Sequence, residues 1–571
     1  MQMKTCIPAI LLCTSMAAQA QNPLAIPPAL TGTSFNLDVQ TGTRDFYGTP
    51  TPTYGINGPF LGPTIIVHTG DSIQLNVTNN LPMATTMHWH GMHVSAMNDG
   101  GPHQPIAPGA TWSPSFNVRN HAGTYWYHPH GAGQTERQVA MGLAGFFLVK
   151  DDAQAALNLP RTYGVDDIPL AVQTRAFDVL TQIASATDMD TAVMVNGTLH
   201  AAFDAPAQVL RFRLLNGNSM RSLNFGFSNG QTFYQIATDG GLKDAPLALS
   251  RLMLSPGERA EVLLDLTGMQ GQSLQLMSFA SELPDGVYGA ANVGAGADTI
   301  HEYHDNFLNG ADFSLLQIHV VAPTASPVTT VPATLVPYVP YETASATHQR
   351  TIVMDTLRLL AMDTPNRAHG PFGLNGHTFS MDSINEVVPL NAVEIWTIVN
   401  KTLVAHPFHM HDIQFNIIEK SGVPPPASET GWKDVVVVMP GDSAKFITQF
   451  TTFADDATPY MYHCHLLHHE DDGMMGSFLV VDTSATAVRE IDRDIQFTIS
   501  PNPATDHFII HSTTGQPTVV HVYDVLGKLK YAATGTADIT VPVVGWECGV
   551  YVVRVKAEGK AATRKLVVQR E

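Results

Sequence analysis

Cys464 is the only cysteine in the main body of the chain, and histidine flanks it on both sides in the run Tyr460-Met461-Tyr462-His463-Cys464-His465-Leu466-Leu467-His468-His469-Glu470-Asp471-Asp472-Gly473-Met474-Met475. The aromatic and apolar residues 459–462 read as the end of a buried strand. Successive strand side chains point to opposite faces, so Cys464 faces one way and His463 and His465 the other. One triplet can therefore serve two metal sites back to back. A thiolate, two imidazoles and a weak thioether make a blue-copper electron-transfer site. Cys464, His469 and Met474 offer three of those ligands, and a second histidine must come from elsewhere. Taken by itself, the run also reads as a buried cysteine among tolerated histidines.

Three further clusters complete a ligand set. His88-Trp89-His90 and His128-Pro129-His130 are i, i+2 pairs, which on strands project from one face. In His406-Pro407-Phe408-His409-Met410-His411, His409 and His411 share a face and His406 turns to the other. His406 thus supplies the missing blue-copper histidine, and the same-face pair belongs to the second site.

With these residues in view, the chain resembles the multicopper oxidases: laccases, bilirubin oxidases and bacterial cuprous oxidases. The resemblance runs over most of the chain after residue 20 and includes LGPTIIVHTGD at 61–71, YGVDDIPL at 163–170, HPFHMH at 406–411 and the run from His463 to Met475. It implies four coppers. Type 1 takes His406, Cys464, His469 and Met474, type 2 takes His88 and His409, and the type 3 pair takes His90, His128, His130, His411, His463 and His465. It further implies a laccase-like oxidase that takes single electrons from phenolic or aromatic donors and passes four to dioxygen. Oxidation of copper(I) or another low-valent metal ion, or of bilirubin, is the alternative; a catalytically silent cupredoxin protein is disfavoured by the complete ligand set, and turnover of dioxygen with a phenolic dye separates an oxidase from a copper-sequestering protein. Asp99 and Glu470 match acidic residues that deliver protons in related oxidases, and each also reads as a turn or ligand-orienting residue. Asp412 stands where the family usually has glycine, so it either alters the approach to the cluster or is solvated. Thr402 stands four residues before His406, where some relatives carry a carboxylate. The methionines Met354, Met362 and Met381 form no dense run, which favours aromatic donors over copper(I). His468 lines the electron-entry surface or is simply exposed.

These residues must be positioned by several domains, since the chain has 571 residues. The 45 glycines and 38 prolines suit many turns between short strands, so the expected class is all-β. Residues 1–20 read as a secretory leader with Lys4, an apolar run and Ala18-Gln19-Ala20. The expected domains are Greek-key, cupredoxin-like β-sandwiches at 22–155, 156–321 and 347–482. The first carries trinuclear ligands, the second none, and the third the type 1 site with the remaining ligands. Residues 64–67 and 73–77 flank Gly70-Asp71 like a hairpin, and strands are expected at 211–215, 259–264, 393–399 and 435–438. His200, His301 and His304 of the second domain read as surface residues. Residues 322–346, rich in Pro, Thr, Ser and Val, read as an extended linker.

The last segment, 494–571, resembles the small β-sandwich sorting domain of the type IX secretion system, which implies that machinery as a partner and an exported or cell-surface location reached through the periplasm. Cys548 reads there as a buried thiol without a partner, and Met475 as turned into the sandwich core. Neither a disulfide nor a transmembrane segment is expected. The net charge of −20 argues against nucleic acid or anionic membrane as partner.

Overall fold

Alternation of apolar and polar residues builds most of the strands. In the strand Ser34–Asp45, Phe35, Leu37 and Val39 point inward and their neighbours outward. The computed structural model describes residues 21–184, 189–294, 306–357, 372–483, 497–512, 518–524, 527–536, 538–557 and 560–570. The expected leader with Cys6 and Cys13, together with His301, His304 and Met362, lies outside the described residues.

The first sandwich packs a sheet ordered Ala29–Thr31, Thr64–His68, Gly145–Lys150, Gly123–His128, His88–His90 against one ordered Pro50–Ile56, Ser34–Asp45, Ser72–Asn79, Thr111–Trp112. Thr64–His68 and Ser72–Asn79 are therefore not the expected hairpin. The first pairs in parallel with Ala29–Thr31 and Gly145–Lys150, the second with Ser34–Asp45. The turn at Gly70, whose φ is +94°, carries the chain from one sheet to the other. The sequence signal for a turn was sound, but a turn does not dictate which sheet the next strand joins.

In the second sandwich Val209–Asn216 lies between Asp167–Arg175 and Arg259–Asp265 in a seven-stranded sheet, opposite a six-stranded one. His200 is exposed. Residues 322–346 are mostly irregular, yet they do not act as a free spacer. Val328, Val331 and Val336 pack on Leu159, Val209 and Leu263, and the Val209 N–H donates to the Val328 carbonyl over 2.8 Å. Tyr338 and Tyr341 set their rings 5.5 and 5.6 Å from that of Trp432.

The third sandwich contains the sheet ordered Glu386–Pro389, Met475–Val481, Asp455–Cys464, His406–Met410, Val435–Val438. Its register sets Phe408 opposite Cys464 and His409 opposite His463. One face, with Phe408, Met410, Tyr462, Cys464 and Met474, closes the sandwich core. The other carries His409 and His463. Met475 pairs with His463 and so shares the histidine face. It is buried there, away from the core in which it was expected, because the new strand starts at Met475 and sets its parity.

The chain divides into two compact units, Met1–Val480 and Val481–Glu571. The second has a three-stranded and a four-stranded sheet around Phe497, Phe508, Val522, Val553 and Leu566. Cys548 is exposed rather than buried, because it lies in the turn ahead of Gly549–Ala557, outside any strand's alternation. No helix among the described residues is long and apolar enough to cross a membrane.

Each unit has its own apolar core. A chain ended after Asp482 is expected to stay soluble and to melt in one cooperative transition, followed by circular dichroism. Aggregation, or loss of the transition, would contradict separate cores.

Candidate metal centres

The edge strand His88–His90 and the neighbouring Gly123–His128 bring the first-domain histidines to one end of their sheet. The third domain presents its histidine face to them. Among the described residues three all-histidine sets of buried donor atoms result, each set within 4.8 Å: His88, His409 and His411; His90, His128 and His465; and His130, His411 and His463; His90 and His409 also lie within that distance of the Asp434 carboxylate. A fourth set, His406, Cys464 and His469, lies in the third domain alone.

The outer nitrogens of most of these rings face acceptors; His465 Nδ1 is buried without one. His411 donates from Nδ1 to Asp99 Oδ2 over 2.7 Å, and His88 Nδ1 donates to the Asp99 carbonyl over 2.9 Å. Glu470 sets its carboxylate 3.4 Å from His130 Nδ1 and 3.2 Å from His463 Nδ1. His128 Nδ1 donates to the Pro129 carbonyl over 2.8 Å. His409 Nδ1 donates to the Asp434 carbonyl over 2.8 Å, and His90 Nε2 to the Asp434 carboxylate over 3.2 Å. With the proton on the outer nitrogen, the inner nitrogen of each ring so held carries a lone pair.

Those lone pairs converge. His130 Nε2 lies 3.1 Å from both His463 Nε2 and His411 Nε2. His90 Nδ1 lies 3.4 Å from His128 Nε2 and 3.3 Å from His465 Nε2. Nitrogens each about 2 Å from one shared ion would stand about 3.3–3.5 Å apart. His88 Nε2 and His409 Nε2 are buried without a hydrogen-bond partner. Burial drives the pKa of His90, His128, His130, His409, His411 and His465 well below the ordinary value, and that of His463 to about 3, with neighbouring imidazoles adding to the effect. Neutral imidazoles aimed at a common point fit metal ions and little else.

The fourth set is built on the core face. His406 Nδ1 lies 3.3 Å from Cys464 Sγ and 3.3 Å from His469 Nδ1, and Sγ lies 3.8 Å from His469 Nδ1. Thr402 Oγ1 accepts the His406 Nε2–H over 2.8 Å. This threonine is buried, not a surface substrate contact. Burial pushes the Cys464 thiol up and lowers His406 to about 3. Met474 is fully buried; its N–H donates to the His469 carbonyl over 2.8 Å and its carbonyl accepts from Cys464 over 3.0 Å, closing the loop around the short helix Leu467–Asp471.

Asp412 is neither solvated nor aimed at the histidines. Its φ is +72°, a region glycine enters freely and aspartate tolerates, and its buried carboxylate pairs with His93 Nδ1 over 2.8 Å. His468 is partly buried, 3.6 Å from Glu136 and 3.6 Å from Asp472.

Sequence reading missed the carboxylate at the middle of the assembly. Asp434, from the third domain, takes Arg259 Nη1 and Nη2 of the second domain at 2.6 and 2.7 Å while it holds His90 of the first. The Asp239 carboxylate accepts the Arg259 backbone N–H over 2.8 Å and pairs with Lys433 Nζ at 2.8 Å. Lys433 also reaches Glu258 over 2.6 Å. Burial opposes the charge on Arg259, but Asp434 and Asp239 outweigh it and raise its pKa above the ordinary value. Gly257, at φ +85°, lies flat against His465; a Cβ there would stand 2.9 Å from the imidazole. The signals were the Pro256-Gly257-Glu258-Arg259 turn in the domain without ligands, and a Lys433-Asp434 pair leading into four buried valines.

Multicopper oxidase family models match residues 38–154 and 352–484, and a secretion system C-terminal sorting domain model matches residues 498–569. The chain is 32% identical over 460 residues to the multicopper oxidase mco of Staphylococcus haemolyticus, covering 79% of this chain and 89% of that protein. It is 29% identical over 486 residues to the cell division protein FtsP of Photorhabdus laumondii, covering 83% and 96%. The solved structure of the laccase-like multi-copper oxidase CueO of Ochrobactrum sp., described as active on lignin model compounds and lignosulfonate, is 32% identical, with a TM-score of 0.70 over 80% of this chain and 100% of that one.

Asp434→Asn strands the buried Arg259 charge and is expected to cost about 3–5 kcal/mol of stability in the metal-free protein, read by urea unfolding. Adding Arg259→Met should recover part of it. A loss below about 1 kcal/mol, the worth of an exposed pair, would show that the pair carries no such load.

Proposed function

The chain belongs to the multicopper oxidase family, and on that premise we propose that it is a laccase-like oxidase of phenolic or aromatic donors with dioxygen as acceptor. Membership implies a copper oxidoreductase, and the sorting domain implies export or the cell surface. We assign type 1 copper to His406, Cys464, His469 and Met474, type 2 to His88 and His409, and the type 3 pair to His90, His128, His130, His411, His463 and His465. The convergence of unprotonated imidazole nitrogens at 3.1–3.4 Å carries this reading. Copper held by these residues would supply one-electron transfer at the type 1 site and four-electron reduction of dioxygen to water at the trinuclear site.

The chain's own residues do the rest. His463 and His465 are covalent neighbours of Cys464, which gives a short bonded route between the two sites. Asp99 and Glu470 lie against His411, His88, His130 and His463, where a carboxyl group can hold and hand over protons. Burial raises the Glu470 carboxyl well above its ordinary value, as a proton donor near neutral pH requires. The likeness to the laccase-like enzyme active on lignin models, and the scattered methionines, support aromatic donors. Met354 is buried in the third-domain core and Met381 is exposed. We assign export to the type IX machinery through residues 494–571.

Cys464→Ser is expected to abolish the intense blue absorption and donor oxidation while copper still binds at the histidine sets, as metal analysis would read; a surviving blue band would overturn the assignment. Wild-type kinetics with a phenol, bilirubin, copper(I) and manganese(II) choose the donor, and preference for a metal ion would replace the laccase-like reading.

Glu470→Gln and Asp99→Asn are each expected to slow the oxygen-consuming half-reaction by about 10²-fold or more while leaving anaerobic reduction by donor within about twofold. Equal slowing of both half-reactions in stopped flow would make these carboxyls structural.

A further inference from the structure

His469 presents Nδ1 to the Cys464 and His406 donor atoms, so its Nε2 carries the proton and points outward. At that outer edge stands a phenol that belongs to the protein. Tyr288 Oη lies 3.3 Å from His469 Nε2, and the two rings meet edge to face at 5.8 Å. Tyr288 comes from the second domain, is 2% exposed, and covers a histidine that is itself 2% exposed.

The loop that delivers Tyr288 is fastened on both sides. The Tyr288 carbonyl accepts from Ser222 N–H over 2.9 Å within the second domain. The Gly286 carbonyl accepts from Ala405 N–H over 2.7 Å, next to His406 in the third. Val287 packs with Ala405 and Val437. Gly286, at φ +92°, sits so close to Pro440 that a Cβ would stand 2.6 Å from its ring. A side chain held this way is placed by the fold rather than swept there from a mobile loop.

We propose that Tyr288 is a specificity-determining residue at the electron-entry edge. Its phenolic oxygen accepts the His469 Nε2–H and occupies the place where a phenolic donor's hydroxyl would dock. A donor D then hands over its electron across the Tyr288 ring, D going to the oxidised radical and copper(II) to copper(I); Tyr288 is neither consumed nor left oxidised. Phenolic donors lose their proton to solvent, because Tyr288 shields the imidazole from them. Donors are therefore selected by potential more than by shape. Thr402 plays the matching part at His406 but lies behind it, buried in its own domain.

The inference rests on the type 1 reading of His406, Cys464 and His469, and the test separates the two. Copper-loaded full-length wild type, Tyr288→Phe and Tyr288→Ala are compared by visible spectrum, redox titration of the blue band, and KM for 2,6-dimethoxyphenol and hexacyanoferrate(II). Tyr288→Phe keeps the ring and removes the acceptor. Its blue band should persist and its potential rise, since an imidazole whose N–H loses its acceptor donates less to copper(II). Tyr288→Ala uncovers the imidazole edge, and KM for the phenol should fall about tenfold or more, with hexacyanoferrate(II), which makes no such contact, within about twofold. An unchanged potential in Tyr288→Phe, or an unchanged phenol KM in a blue, folded Tyr288→Ala, would overturn the inference and leave the type 1 assignment standing. Absence of a blue band in the wild type would overturn both. If Tyr288→Ala does not fold, the potential of Tyr288→Phe alone decides.

Discussion

The carboxylate of Asp434 is where the three sandwiches become one structure. It belongs to the third domain, accepts from His90 of the first and is clamped by Arg259 of the second, all fully buried. Its backbone carbonyl fixes His409 as well. A charge in that position is costly unless every partner is in place. The arrangement therefore ties correct docking of the domains to correct orientation of two rings in different sets. That also accounts for a ligand-free second domain: it supplies the cation that lets the carboxylate be buried, the glycine that admits His465, and the tyrosine against His469.

The same logic extends outward from the rings. Asp99, Glu470 and Asp434 between them face six of the eight trinuclear-set histidines on their outer nitrogens. Fixing the proton outside fixes the lone pair inside, so ring orientation and metal affinity are set by acids that touch no inner nitrogen. The inner nitrogens of His411 and His463 are thereby each brought to 3.1 Å from that of His130, close to the spacing a shared ion would require. A metal ion bound there would add its binding free energy to the stability of the fold. Neighbouring Asp471 strengthens the seam by accepting the Thr135 and Glu136 N–H groups of the helix Thr135–Ala140 over 2.8 and 2.9 Å.

What the sequence revealed was what strand parity and local spacing control. His406 and Cys464 fall on the core side and His409 and His463 on the other because alternation leaves no choice within a strand. The division into all-β domains followed from turns and apolar alternation. The failures share a cause in contacts that spacing cannot encode. Thr64–His68 and Ser72–Asn79 part company because partner choice is a tertiary decision. Met475 does turn away from Met474 as alternation requires, but the far side is the histidine face opposite His463 rather than the sandwich core, because the strand begins at Met475 and pairs it with His463. Asp412 was read as a charge facing the cluster or water, when its backbone angle and the distant His93 decide its fate. Asp434 and Arg259 are 175 residues apart, and His90 and Asp434 are 344 apart; no motif of one segment reports such a pair.

Tyr288 shows why that gap matters for function and not only for folding. The ligand set is legible because its chemistry forces residue types at fixed spacings, and so the reaction class follows from short motifs. The outer edge of His469, where the proposal places the choice of donor, is furnished by a different domain, on a loop held against Ala405, Val437 and Pro440. None of those residues is constrained by copper. The reaction class and the choice of donor are thus encoded by different kinds of information, one local and one tertiary. On that proposal, a chain with every ligand in place would change its substrate by altering a loop that carries none of the assigned ligands.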